Sequence, residues 1–115
     1  MRGADADAVV SATAERVGLT EDLLERHPNE VSDGQLQRAC LGRALVLRPD
    51  VVVADEPGAM LDVSTQAALL AVLAEEAERG LAVLLVSHDT ALLRHWCYRV
   101  LELADGCLSR QPVAR

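Results

Sequence analysis

The chain has 115 residues, half of them apolar, with eleven basic residues against eighteen carboxylates and a formal charge of −7. Every basic residue is Arg, and neither Lys nor Phe occurs. This balance argues against a general nucleic-acid binder, which carries a basic face, and against a polybasic membrane anchor. No unbroken apolar run approaches the ~18 residues of a membrane span. Asp5 and Asp7 follow Arg2 with no apolar stretch after them, so no secretory leader is expected. Cys40, Cys97 and Cys107 are odd in number and form no C-x-x-C pair, which predicts reduced, mostly buried thiols in a cytosolic protein.

Helices and strands alternate along the chain. Ala4 to Val17 reads as a helix ending at Gly18, and Thr20 caps a short helix that stops before Pro28. Ser32 is a second N-cap candidate. Behind it Leu36, Ala39, Cys40, Ala44 and Leu47 recur at three- and four-residue steps, the stripe of an amphipathic helix. Val51 to Ala54 is an all-apolar run, the pattern of a strand covered on both faces. The helix opened by Ser64 places Ala67, Leu70, Ala71, Ala74 and Ala77 inward and Glu75, Glu76, Glu78 and Arg79 outward, with Gly80 as its C-cap. Ala82 to Val86 is a second buried strand, and Asp89 to Trp96 a helix with His95 and Trp96 on the outer face of the sheet. Asp105-Gly106 is a hairpin turn between Arg99–Leu103 and Cys107–Arg110. Strand, helix, strand with apolar strands predicts an α/β fold on a parallel sheet.

Three places carry candidate chemistry. Asp55 and Glu56 end the first apolar strand, where parallel sheets bind ligands. Asp55 there suits a magnesium ion, and Glu56 suits orienting and deprotonating a water; the plain alternative is two solvated acids in a loop. Ser32-Asp33-Gly34-Gln35 opens a helix, whose free N–H groups suit phosphate; the alternative is an ordinary capped helix. Ser87-His88-Asp89 follows the second strand. His88 faces the same crevice as Glu56 if the strands are neighbours, and is otherwise a packed or solvent-facing residue.

In this order and spacing, VSDGQLQRACLGRAL, VVVADEP, MLD and LLVSHD resemble the ATP-binding subunit of an ABC transporter. Val31 to Gln35 are similar to the signature motif LSGGQ, Val51 to Glu56 to Walker B with its catalytic glutamate, Met60-Leu61-Asp62 to the D-loop, and His88 to the switch histidine. The resemblance runs from about Ala8 to Arg110. HPNEVSDGQLQRA and LDVSTQA look most like the oligopeptide, dipeptide and nickel importer branch.

The resemblance implies the C-terminal half of one ATP-binding domain, from a truncated gene, a misassigned start or a half-length product. Residues 1–48 would belong to the helical signature subdomain and residues 49–115 to the P-loop NTPase core. ATP and Mg2+ are the implied cofactors. Asp55 would be the magnesium acid, Glu56 the general base and His88 the γ-phosphate contact. Ser32, Gly34 and Gln35 would touch ATP held by a second ATP-binding subunit packed head to tail, and Asp62 would signal across that dimer. Transmembrane permease subunits would hold the chain at the cytoplasmic face of the membrane, with no nucleic acid and no direct membrane insertion. The implied function is an ATPase driving import of peptides or a related small solute. The alternatives are an inactive remnant that binds through its signature helix and a soluble, non-transport ABC ATPase. The family's phosphate loop G-x-x-x-x-G-K-S/T cannot be present without Lys. Asp33 stands where the motif has glycine, Gly58-Ala59-Met60 where Thr-Ser-Ala is usual, and Tyr98 where an acid is common. Without the phosphate-loop strand, Ala82 to Val86 should keep an unpaired edge, and the Asp105-Gly106 hairpin should shift, detach or close the gap.

Overall fold

A computed structural model describes residues 3–112. In chain order the elements are α1 (Gly3–Arg16), α2 (Glu21–Leu24), a 3-10 turn (Pro28–Glu30), α3 (Asp33–Leu45), β1 (Val51–Asp55), α4 (Val63–Glu78), β2 (Ala82–Val86), α5 (Thr90–Trp96), β3 (Val100–Ala104) and β4 (Cys107–Gln111). The expected α/β alternation is present. β1 and β2 pair in parallel with Val51 opposite Ala82 and Asp55 opposite Val86, so both strands end at the same edge. β3 and β4 form a separate antiparallel hairpin, turned by Asp105 and Gly106, both at positive φ, as a type I′ turn requires. The hairpin pairs with neither β1 nor β2, while Val100 at its start is buried.

Local chemistry sets the helix ends. Gly80 closes α4 at φ +107, while the Gly80 N–H donates to Ala77 O and the Leu81 N–H to Glu76 O, the paired bonds of a Schellman stop. Asp62 caps the start of α4 by accepting from the Thr65 N–H at 3.1 Å, two residues before the expected Ser64. Asp89 caps α5 in the same way through the Leu92 N–H. Thr20 occupies the N-cap of α2, but its side chain makes no cap bond.

The core is a cluster of Val17, Leu41, Leu45, Val52, Leu69, Leu70 and Leu73, joined by Val83, Leu85 and Trp96 among others. It draws on both sides of the 48/49 boundary. Several expected faces are corrected here. α3 buries Gly34, Leu41, Gly42 and Leu45, whereas Leu36, Ala39, Cys40, Ala44 and Leu47 are exposed. The reason is that α1 and α4 both pack on α3, and Gly42 lets the Val17 methyl come within 3.4 Å of where a Cβ would stand. Trp96 turns into the core and His95 stays exposed. Cys40 and Cys107 are exposed and Cys97 half-buried, and burial pushes the Cys97 thiol pKa up.

Glu76, expected on the outer face, is 4% exposed. Its carboxylate takes Arg16 Nε at 3.1 Å and Arg79 Nη1 at 3.0 Å, with Arg16 Nη2 on the second oxygen. A carboxylate can be buried when it is paired and hydrogen-bonded in this way. The pairing bridges α1 to α4 across 60 residues of sequence.

The sheet is covered on one face only. Val52, Ala54, Val83 and Leu85 turn to the helices, while Val51, Val53 (63% exposed), Leu84 (57%) and Val86 face outward. The all-apolar strands therefore do not have the two covers their composition predicts, and among the described residues each has one strand neighbour. The surface reflects this. A compact domain of 12.3 kDa exposes about 6,100 Å², whereas this chain exposes 8383 Å². Its radius of gyration, 15.8 Å, also exceeds the about 13 Å of a compact chain of this length.

An apolar strand with a free edge pairs with other chains. The isolated chain should therefore self-associate in sedimentation and exchange the β2 amides quickly when diluted to monomer. Slow exchange throughout Ala82 to Val86 in a strictly monomeric sample would contradict this.

Candidate functional site

The parallel register brings the ends of β1 and β2 together, and the candidate acids sit there. Asp55 alternates onto the outer, exposed side with Val51 and Val53. At the next residue the chain turns sharply. Glu56 has φ +47, a region few residues other than glycine occupy, at a cost of order 1 kcal/mol. Its N–H still donates to Val86 O at 2.8 Å, so the turn is anchored to the end of β2. This redirects the Glu56 side chain toward the segment that follows β2.

There the structure joins two of the predicted residues. His88 Nδ1 lies 2.6 Å from Glu56 Oε1, and the His88 backbone N–H donates to the same oxygen at 2.9 Å. Ser87 Oγ donates to Oε2 at 3.3 Å and accepts from the Asp89 N–H at 3.1 Å. The hydrogen bond with His88 is the main cause that holds the Glu56 carboxyl below its ordinary pKa. The same bond, reinforced by the charge of Glu56, raises the pKa of His88. Ser87, unassigned from the sequence, is thus part of the arrangement.

The Ser32–Gln35 segment forms a reciprocal capping box. The Gln35 N–H donates to Ser32 Oγ at 3.2 Å and the Ser32 N–H to Gln35 Oε1 at 2.9 Å. Asp33 is exposed in the first turn. Gly34 is buried, and a Cβ there would stand 2.5 Å from Thr65 Cγ2 of α4. Glycine at this position has a packing reason independent of any ligand. Asp62, exposed, is held below its ordinary pKa by hydrogen bonding from Thr65, so its carboxylate is in use as a helix cap.

Sequence reasoning missed the residues that hold the loop between Glu56 and Asp62. Gln37 of α3 accepts the Gly58 N–H at 3.3 Å, and Gln66 Nε2 of α4 donates to Pro57 O at 3.5 Å. Gly58 is at φ +76, with Gln66 Cγ only 3.0 Å from the place of a Cβ. Only Gln37 carries a signal, its place two residues after the motif on the helix face of Gly34 and Leu41, and that signal does not identify its partner.

Among the described residues no cluster of three or more metal-ligating side chains occurs. Magnesium does not need one: it keeps several waters and binds through one or two carboxylates plus phosphate oxygens. An exposed Asp55 beside Glu56 fits that requirement. The Lys that would grip the β- and γ-phosphates is not supplied by these 115 residues.

The linked pair sets a pH window. His88 contributes stability fully below its unfolded pKa and loses it as pH rises through the raised folded value. Glu56 contributes above its unfolded pKa and loses it as pH falls through the depressed folded value. The contact is strongest between roughly pH 4.3 and 6.5. An NMR titration of the His88 ring should give a midpoint above the ordinary histidine value, and Glu56→Gln should lower it. A midpoint that Glu56→Gln leaves in place would show that the contact is not formed.

Residues 3–59 match the protein family described as ABC transporter. The chain is 42% identical over 98 residues to the oligopeptide transport ATP-binding protein of Salmonella typhimurium, covering 84% of this chain and 29% of that protein. It is 43% identical over 106 residues to the glutathione import ATP-binding protein of Pectobacterium atrosepticum, covering 91% of this chain and 17% of that protein. A dimeric ATP-binding cassette, solved in a post-hydrolysis state bound to ADP and Pi, superposes with a TM-score of 0.80 at 29% identity over 96% of this chain and 49% of that one. The chain thus spans less than a third of these curated relatives and about half of the solved cassette.

Proposed function

This chain belongs to the ABC transporter family of ATP-binding domains and is most like its peptide-importer branch, and we propose that it is part of a subunit coupling ATP hydrolysis to uptake of peptides or a related small solute. The observation that carries the reading is the Glu56–His88 contact at the common end of two parallel strands.

In this reading Asp55 would hold magnesium, whose positive charge would offset that of the nucleotide's phosphates and make the γ-phosphorus easier to attack. The hydrogen bond with His88 favours the ionised form of Glu56. A carboxylate has about four acceptor sites, so Glu56 can also accept from a water and orient it. His88 is held through Nδ1, and its side chain is 87% exposed, leaving Nε2 for a γ-phosphate oxygen. At the other end, Ser32 uses an oxygen lone pair for its cap and keeps its hydroxyl proton to donate to a phosphate held by a partner subunit. Gly34 and Gln35 present the first turn of α3 to that phosphate. Asp62 lies where a signal between subunits would pass.

The partners proposed are a second ATP-binding subunit, suggested by the dimeric cassette, and membrane permease subunits, suggested by the importer relatives. Among the described residues no helix is long and apolar enough to cross a membrane. The proposed place is the cytoplasmic face, with residues 1–48 and 49–115 as signature and core portions. A second reading, a chain that binds a partner through α3 without turning over ATP itself, is favoured by the absence of Lys.

Two arms test the role of these residues. The chain alone should release no magnesium-dependent phosphate above a Glu56→Gln control; turnover that Glu56→Gln abolishes would place the phosphate grip within these residues. Mixed with the full-length Salmonella relative and Mg-ATP, the chain should associate in an ATP-dependent manner, and Ser32→Arg should abolish this. Asp33→Gly should tighten it about fivefold or more, since two unit charges ~4 Å apart repel by about 1 kcal/mol in water and about 4 at an effective dielectric near 20. Association indifferent to ATP and to Ser32→Arg would contradict a role in the composite site.

A further inference from the structure

We propose that Gln37 is a positioning residue that ties the N-terminal end of α3 to the loop behind Glu56, so that the end offered to a partner's nucleotide and the carboxylate serving this chain's own nucleotide move together. The inference rests on the functional reading above and deepens it by linking its two halves within one chain.

The tie has three parts. Gln37 lies one turn into α3, three residues beyond Gly34, on the side of the helix that meets α4. Its Oε1 takes the N–H of Gly58 at 3.3 Å. Gly58 is two residues from Glu56, and the intervening Pro57 has its φ fixed by its ring, so little slack separates the gripped amide from the catalytic carboxylate. From the other side Gln66 of α4 holds the Pro57 carbonyl at 3.5 Å and packs over the α-carbon of Gly58. Within the loop the Ala59 N–H reaches Glu56 O at 3.2 Å and the Leu61 N–H reaches Gly58 O at 3.0 Å. Displacing Gly58 therefore displaces Glu56 at one end and the Asp62 cap of α4 at the other.

The geometry also explains why glutamine is used. The side chain must reach across from α3 with an acceptor, because the Gly58 N–H points at it and a buried N–H without an acceptor is costly. The bonds are 3.3 and 3.5 Å long, beyond the usual range, so the tie depends on the packing that holds both glutamines in place. At Gly34 the helices are in close contact, and a tilt of α3 there is passed to the loop through Gln37.

The test compares Gln37→Met, which keeps length and removes the oxygen acceptor, with Gln37→Glu, which keeps the acceptor. Two quantities are read on the full chain: amide exchange at Gly58, and ATP-dependent association with the full-length Salmonella relative in Mg-ATP. Gln37→Met should speed Gly58 exchange at least tenfold and weaken association at least fivefold, and Gln37→Glu should restore both most of the way. A Gln37→Met effect under twofold on either quantity, or a failure of Gln37→Glu to restore them, would overturn the proposal. If the unaltered chain shows no ATP-dependent association, the functional reading itself fails. An exchange effect seen alone would then reduce Gln37 to a structural residue and overturn its positioning role.

Discussion

The crossing of α3 over α4 at Gly34 is the constraint on which the rest of the arrangement depends. With no side chain at Gly34, the first turn of α3 settles against Thr65, a β-branched residue in the first turn of α4. That contact sets where the Ser32–Gln35 box stands. It brings Gln37 within reach of Gly58 and leaves Leu41 and Leu45 facing Leu69, Leu70 and Leu73 in the core. Thr65 also donates its N–H to Asp62, so the residue that meets α3 belongs to the cap of α4. Motif residues that look separate in sequence are thereby mounted on one pair of helices.

The second centre, Glu56 with His88, depends on the register of two strands. Pairing of Asp55 with Val86 places the turn at Glu56 next to Ser87 and His88. The left-handed backbone at Glu56 directs the carboxylate onto them. The cost of that conformation is offset by the bonds the carboxylate collects, and the bond that fixes its direction also keeps it ionised. In the proposed reading, a carboxylate so held would be a weaker base and a better-aimed acceptor, suited to orienting a water.

Much of this was legible in the sequence. Apolar runs, cap residues and Asp105-Gly106 are local signals, and the helices, the parallel pair and the hairpin follow from them. The nearness of Glu56 and His88 was legible because strand ends in a parallel sheet converge. Other features were not legible because they depend on what packs where. Glu76 reads as a solvated face in sequence, and only the approach of Arg16 from α1 lets it be buried. The apolar spacing on α3 marks a stripe, but spacing alone cannot say which of two faces meets two neighbouring helices. The strands read as doubly covered, and their composition is still that of covered strands, yet the described residues cover one face. Gln37 and Gln66 looked like ordinary polar helix residues, since their partners are backbone groups of a loop.

The most direct measurement is the unfolding free energy of Gly34→Ala with and without Thr65→Ser. Alanine raises helix propensity by about 1 kcal/mol over glycine, whereas forcing a methyl into a well-packed contact costs about 1–3 kcal/mol. With a Cβ only 2.5 Å from the Thr65 methyl, the clash should win. Gly34→Ala alone should lower stability, and adding Thr65→Ser, which removes that methyl and keeps the hydroxyl, should recover it and let the propensity gain show. A Gly34→Ala chain as stable as the original or more so, with no dependence on Thr65, would contradict the account of how the two helices are joined.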